Sequence, residues 1–170
     1  MYYLIDLKSK ENMQLYHSVK GRFDYKIDNK NEFIKETQEK LKCFLSDYDF
    51  VIYPESSSTF IDDILSVIDI EKLKVKKRSI KSVLMFFEKL NLQKKEKESH
   101  LERLLNMGDV FKINHMKANQ RLKYENVIFE DIQIPEGRGI IVDDSYFSGT
   151  TYRGLISITG NMDFLAIFSK

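Results

Sequence analysis

Two spacings of apolar residues divide the chain into amphipathic helices and short strands. Apolar residues three or four positions apart are typical of a helix, and this spacing occurs at 31–46, 80–90 and 96–107. Short runs rich in β-branched and aromatic residues are typical of strands. Such runs occur at 2–7, 19–27, 49–53, 73–77, 126–129, 139–142 and 163–168.

The order of these segments predicts an α/β fold. A helix at 59–68 follows the strand at 49–53, and a helix at 150–159 separates the last two strands. This alternation is typical of a mainly parallel, twisted sheet flanked by helices. We therefore expect one domain, 1–170, whose sections are a small N-terminal hood of strands (1–28), a core (29–170) and a helical insertion at about 80–107.

Composition and charge narrow the function classes. The 170 residues are 42% hydrophobic and 31% charged, which suits one domain with a sizeable core. A net charge of +1 predicts no nucleic-acid partner. No apolar run reaches membrane-spanning length, no signal peptide is apparent, and the one cysteine excludes an internal disulfide. These features predict a cytoplasmic protein without a membrane partner.

The stretch GIIVDDSYFSGTT, residues 139–151, carries the most specific chemistry in the chain. Its apolar strand runs into Asp143 and Asp144, and a Ser-Gly-Thr-Thr sequence then opens a helix. Backbone N–H groups at such a turn bind anions. Carboxylates accept hydrogen bonds from sugar hydroxyls and bind Mg²⁺. The pattern favours a ligand with a diol and a phosphate, although an acidic strand end with an ordinary turn would look similar.

Residues 140–151 resemble the phosphoribosyl-diphosphate (PRPP) motif of type I phosphoribosyltransferases. That motif is an apolar strand, two acidic residues, three variable residues and then Thr/Ser-Gly-x-Thr, with Ser148 here in the usual Thr position. The resemblance implies that Asp143 and Asp144 contact the ribose hydroxyls, with proton transfer as a further hypothesis. It implies a 5-phosphate loop made of Ser148, Gly149, Thr150 and Thr151. It also implies Mg²⁺ as cofactor, brought by the substrate and a candidate ligand of both aspartates.

The same family has an earlier loop that binds diphosphate, between a strand and a helix. Here that position holds Glu55, Ser56, Ser57 and Ser58, which could equally form an ordinary helix cap. Glu55 would have to point away, pair with a lysine or help to hold Mg²⁺. The resemblance implies a diphosphate cation on or after the next strand, among Lys76, Lys77 and Arg78. It also implies a cover before the motif strand, at 109–124.

The function implied is transfer of the phosphoribosyl group from PRPP to a nitrogenous base, with diphosphate release. Base-specific members of the family continue beyond the last strand, whereas this sequence ends at Lys170. We therefore expect the hood to seat the base through Tyr2, Tyr3, Phe23 or Tyr25. The alternative is a non-catalytic module of the same fold that binds PRPP or a nucleotide. A homodimer through the helices at 80–107 is a further hypothesis.

A phospho-acceptor receiver domain is a third interpretation, because IVDDS also resembles its acidic pocket. The acidic pair of a receiver normally follows the first strand. Here the pair comes late, with only one helix and one strand after it. Position therefore argues against a receiver.

Overall fold

The structure is a computed structural model and describes residues 1–21, 30–56 and 58–170. Within these residues the fold is α/β, as predicted, with five strands, seven α-helices and two short 3₁₀ helices. The strands are β1 (Tyr2–Asp6), β2 (Phe50–Pro54), β3 (Glu71–Val75), β4 (Gly139–Tyr146) and β5 (Asp163–Ser169). The α-helices are α1 (Lys10–Val19), α2 (Lys30–Leu45), α3 (Phe60–Leu65), α4 (Ile80–Glu88), α5 (Lys94–Leu105), α6 (Ala118–Arg121) and α7 (Thr150–Thr159). The 3₁₀ helices are Ile113–His115 and Leu122–Val127. None of the helices described is long and apolar enough to cross a membrane.

The chain divides into two compact units. The first comprises Met1–Lys74, Ile134–Phe147 and Met162–Lys170, and the second comprises Val75–Gln133 and Ser148–Asn161. The sheet belongs to the first unit, apart from the last residue of β3. Its strand order is β1-β5-β4-β2-β3, and β4 pairs in parallel with both β2 and β5. β4 is thus the central strand.

The core of the first unit lies between one face of the sheet and helices α1, α2 and α3. Because side chains alternate between the two faces of a strand, residues two positions apart point the same way. The buried cluster takes alternate strand residues and apolar residues of the three helices: Val51, Tyr53, Ile140, Val142, Leu165, Ile167, Tyr16, Leu41, Leu45, Phe60, Ile61 and Ile64. Asp144 continues the series of Ile140 and Val142, and Asp143 follows Ile141 on the opposite face.

In the second unit, α7 packs against the 3₁₀ helix Leu122–Val127. Gly154 of α7 is buried there, and an added Cβ would lie 2.8 Å from Ile128 Cδ1. Glu125 is buried nearby and pairs with Arg153 of α7, with its Oε1 2.7 Å from Nη2. The small residue and the ion pair together allow close packing of the helix that follows the Ser-Gly-Thr-Thr sequence.

Three local predictions differ from the structure, at the end of β4, at 126–129 and at 19–27. β4 continues past Val142 to Tyr146, because Ser145 and Tyr146 still pair with β5, so the acidic pair lies inside the strand. Residues 126–129 form no strand, since a 3₁₀ helix runs to Val127 and Phe129 makes only an isolated bridge with Lys77.

The predicted strand at 19–27 also differs from the structure at its start. Val19 is the last residue of α1, a helix that the apolar spacing did not indicate, and residues 22–29 lie outside the described residues. β1 is an edge strand of the main sheet and pairs in parallel with β5. A hood role for 1–28 stays a prediction.

Candidate functional site

The strand order reverses between β2 and β4. From β2 the chain continues to β3 on one side of the sheet, and from β4 it continues to β5 on the other side. Open α/β sheets bind ligands beyond the carboxyl ends of the strands at such a point. The predicted diphosphate loop follows β2, and the acidic pair lies near the carboxyl end of β4. The topology therefore brings these two predicted parts to the same place.

A buried ammonium joins the two parts. Lys20, which follows α1, contacts the Asp144 carboxylate, and both side chains are less than a tenth exposed. Its Nζ also donates to Ser56 Oγ at 3.1 Å, and Ser56 Oγ lies 3.5 Å from Asp144 Oδ2. The other carboxylate oxygen of Asp144 accepts a hydrogen bond from Ser145 Oγ at 2.6 Å. Asp144 is thus charge-paired and hydrogen-bonded within the first unit.

Asp143 is buried but is arranged differently from Asp144. Its Oδ1 accepts the backbone N–H of Asp144 at 2.7 Å. Because the two aspartates are consecutive on a strand, their side chains point to opposite faces of the sheet. They do not form one chelating pair, and the described residues hold no group of three or more His, Cys, Asp and Glu suited to a metal ion. The arrangement does not fit Mg²⁺ held directly by both carboxylates.

The loop after β2 is tied to the end of α1. Ser58 Oγ donates to the Val19 carbonyl at 3.3 Å, and the Ser58 N–H donates to Ser56 Oγ at 3.3 Å. Ser58 Oγ also accepts the Phe60 N–H at 3.2 Å, a cap-like contact at the start of α3. Glu55 is half-buried, and Ser57 lies outside the described residues. The contacts leave both the diphosphate-loop and the helix-cap interpretations open.

Lys74 is a second basic residue of the first unit near this loop, and sequence analysis did not select it. Its Nζ lies 2.7 Å from Asp62 Oδ2 and 5.8 Å from the centre of the Tyr53 ring. The hydrogen bond with Asp62 raises the pKa of Lys74, so the lysine is charged at neutral pH. Lys74 is exposed and pairs with Asp62 of α3, so it does not belong to the buried cluster of Lys20, Ser56 and Asp144.

The three predicted diphosphate cations belong to the second unit. Lys76 is exposed, and its carbonyl accepts the Glu130 N–H at 2.9 Å. Lys77 forms the bridge with Phe129 described above. Arg78 Nη2 donates to Asp131 Oδ2 at 3.0 Å. Diphosphate binding by these cations stays a prediction.

The Ser-Gly-Thr-Thr sequence begins α7 in the second unit. Gly149 has a φ of +70°, a left-handed conformation that favours glycine. The hydroxyls of Ser148 and Thr150 lie 2.9 Å apart, and Arg153 Nη1 donates to the Ser148 carbonyl at 3.2 Å. Thr150 is buried and Thr151 is half-buried. The positive end of the α7 dipole and the unpaired backbone N–H groups of its first turn lie at this sequence, and an anion site requires both features.

Besides Lys74, sequence analysis missed two charged residues, Lys20 and Arg153. Lys20 lies in a segment that was predicted to be a strand, so nothing in the sequence indicated a side chain near Asp144. Arg153 is three residues after Thr150, and its position on α7 predicts contact with the preceding turn. A search for cations within one turn of the motif would have found Arg153.

Two solved structures align with most of the chain, whereas no family model and no curated protein matches it. A purine phosphoribosyltransferase from Pyrococcus horikoshii is 13% identical, with a TM-score of 0.43, over 99% of this chain and 87% of that one. A hypoxanthine-guanine phosphoribosyltransferase from Bacillus anthracis is 15% identical, with a TM-score of 0.45, over 93% and 70%.

Proposed function

We propose that this chain is a phosphoribosyltransferase-like protein that binds PRPP with Mg²⁺ and transfers the phosphoribosyl group to a nitrogenous base. One observation carries the proposal: Ser56 and Asp144 lie together at the reversal of strand order. The family resemblance assigns these two residues to adjacent parts of one ligand, Ser56 through the loop after β2 and Asp144 through the motif at 140–151. A structural accident would not be expected to join both parts at the position where α/β sheets bind ligands.

The proposed reaction needs no nucleophile from the protein. A ring nitrogen of the base attacks C1 of PRPP, the bond from C1 to the diphosphate oxygen breaks, and diphosphate leaves with the electron pair. The proton of the attacking nitrogen passes to water or to an aspartate of the acidic pair. Asp143 and Asp144 would hold the ribose hydroxyls, and residues 148–151 would hold the 5-phosphate. The loop at 55–58 would hold the diphosphate. Catalysis would then come from orientation and from charge stabilisation of the leaving group.

Mg²⁺ enters this proposal as part of the substrate complex. When bound, it neutralises charge on the diphosphate oxygens. Since Asp143 and Asp144 point to opposite faces of the sheet and Asp144 already pairs with Lys20, we assign the ion to oxygens of PRPP. The proposed location of the protein is the cytoplasm, and a homodimer through 80–107 is part of the same hypothesis.

The base pocket would involve the N-terminal hood. Tyr2 and Tyr3 lie on the edge strand β1 and are 44% and 55% exposed, so their rings are accessible to a ligand. Phe23 and Tyr25 lie outside the described residues. The non-catalytic module remains the alternative. The buried Asp144, paired with Lys20, could hold PRPP or a nucleotide without any transfer reaction.

Diphosphate release separates the enzyme from the binding module. PRPP, Mg²⁺ and a panel of purine and pyrimidine bases are incubated with the protein, and diphosphate is measured by a coupled assay. Release that depends on one base, and that an Asp143→Asn/Asp144→Asn variant lacks, supports transfer. PRPP binding without release from any base would contradict transfer and favour the non-catalytic module.

A further inference from the structure

Lys20 is a buried charged residue of the first unit to which the proposed function assigns no ligand contact. It follows α1, where its backbone N–H donates to the Tyr16 carbonyl at 3.1 Å. Its side chain is 8% exposed, and the carboxylate that it meets is 9% exposed. Lysine is rarely buried to this degree unless it is paired. The position therefore requires an explanation.

Fold stability is a poor explanation for this pair. A buried ion pair pays a desolvation penalty that often exceeds its electrostatic gain, and apolar residues of similar volume frequently do as well. In its own row on β4, Asp144 follows the buried apolar residues Ile140 and Val142. A charged pair that ends an apolar row, at the reversal of strand order, is better explained by a ligand.

The geometry around the Lys20 ammonium fits a phosphate oxygen. An ammonium carries three N–H donors. Among the described residues it meets two acceptors, the Asp144 carboxylate and Ser56 Oγ. Ser56 belongs to the predicted diphosphate loop. The Lys20 ammonium therefore already contacts the loop in which a cation would balance the charge of a bound diphosphate. The flexible four-carbon stem of lysine allows the charge to move by a few ångströms.

Charge balance indicates what should happen when a ligand binds. A diphosphate is strongly anionic, and the loop contributes the additional negative charge of Glu55. Asp144, the proposed acceptor for a ribose hydroxyl, is held by Lys20. A ligand that carries both a diphosphate and a sugar hydroxyl gives each residue a new partner. The diphosphate attracts the Lys20 ammonium, and the sugar hydroxyl takes the place of that ammonium at the Asp144 carboxylate.

We propose that Lys20 is a binding residue that exchanges Asp144 for the diphosphate of PRPP. In the absence of ligand it neutralises Asp144, and with PRPP bound it lies against the diphosphate loop and leaves Asp144 to the ribose. This inference rests on the proposed function. It adds a diphosphate cation from the end of α1 to those predicted after β3, and it makes Asp144 selective for ligands that carry a diphosphate.

The exchange predicts that removal of the Lys20 charge changes the affinities for two ligands in opposite directions. PRPP with Mg²⁺ and ribose 5-phosphate, which lacks the diphosphate, are titrated by calorimetry into wild type, Lys20→Gln and Lys20→Arg. Lys20→Gln should bind PRPP about tenfold more weakly, because a charged hydrogen bond is lost. The same variant should bind ribose 5-phosphate more tightly, because Asp144 no longer has an ammonium partner. Lys20→Arg keeps the charge and should retain most of the PRPP affinity.

Partial unfolding cannot produce opposite changes in the two affinities, because it would weaken the binding of PRPP and of ribose 5-phosphate together. Lys40→Gln, an exposed lysine of α2, removes the same charge elsewhere in the first unit and should change neither affinity. If Lys20→Gln binds both ligands as wild type does, or loses both equally while folded, the exchange is contradicted and the proposed function stands. If wild type does not bind PRPP, the proposed function itself has failed.

Discussion

Ser56 and Asp144 are 88 residues apart in the chain, and their side chains lie 3.5 Å apart beside a shared lysine. The proximity follows from the pairing of β2 with β4, in which Ile52 lies next to Ile141. Parallel neighbours end at the same edge of a sheet, so the residues near their carboxyl ends come together. The loop after β2 and the carboxyl end of β4, neither of which indicates a binding site by itself, thus form one candidate site.

Removal of the Ser56 hydroxyl should weaken this site without unfolding the protein. Ser56→Ala deletes a hydrogen bond from Lys20, so we expect the free energy of unfolding to fall by about 1 kcal/mol. PRPP affinity should fall about three- to tenfold, because the loop loses a donor to the diphosphate. Calorimetry and urea unfolding measure the two effects.

Ser46→Ala is the matched control for this change. The Ser46 hydroxyl donates to the Cys43 carbonyl at 2.9 Å, and the residue is exposed just after α2. PRPP affinity should be unchanged in this variant. Equal PRPP affinity in Ser56→Ala and wild type would exclude Ser56 from the ligand contacts.

Close packing of α7 should make Gly154 intolerant of a larger residue. An added Cβ would lie 2.8 Å from Ile128 Cδ1 and 3.1 Å from the Glu125 carbonyl oxygen. Overpacking typically costs about 1–3 kcal/mol, and we expect Gly154→Ala to lower the free energy of unfolding within that range. Chemical denaturation followed by circular dichroism measures the loss.

Ser157→Ala on the same helix supplies the comparison. Ser157 is exposed, so its substitution should change stability by no more than about 0.5 kcal/mol. A Gly154→Ala variant as stable as wild type would show that α7 moves away from the 3₁₀ helix at little cost. The packing described for the second unit would then be wrong.

The sequence predicted the central features of the fold because they depend on local pattern. The apolar runs at 49–53, 139–142 and 163–168 became β2, β4 and β5, and the helix at 150–159 has the predicted bounds. The sheet that these elements build is the α/β fold that their alternation predicted. Strong apolar periodicity and a glycine on each side of α7 explain this agreement.

The features that sequence analysis missed depend on contacts between distant residues. β4 extends through Asp143 and Asp144 because β5 continues to pair with it, which no local signal reports. α1 is a weakly amphipathic helix whose Ser9 cap accepts the Asn12 N–H at 3.0 Å, and sequence analysis assigned no element to residues 8–18. Since Lys20 follows that helix, the partner of Asp144 was missed with it.

Burial of His100 should make stability depend on pH. The ring is buried, its Nδ1 lies 2.8 Å from Tyr124 Oη, and desolvation lowers the pKa of His100 despite the nearby Glu96. An unfolded histidine titrates near pH 6.5. As the pH falls through that value, the unfolded chain binds a proton that the folded protein excludes, and the free energy of unfolding decreases.

Unfolding at several pH values tests this assignment. The loss of stability between about pH 7 and pH 5 should be steeper in wild type than in His100→Gln, which removes the titrating group. His115→Gln changes an exposed histidine of the same unit and should keep the wild-type slope. If His100→Gln and wild type have the same slope, another group is responsible.

The most direct test of the account is whether the acidic pair holds PRPP. PRPP is titrated by calorimetry, with and without Mg²⁺, into wild type and an Asp143→Asn/Asp144→Asn variant, with folding checked by circular dichroism. We expect Mg²⁺-dependent binding to wild type that the folded variant lacks. No binding to folded wild type, or equal binding to both proteins, would contradict the claim that residues 139–151 form a PRPP site.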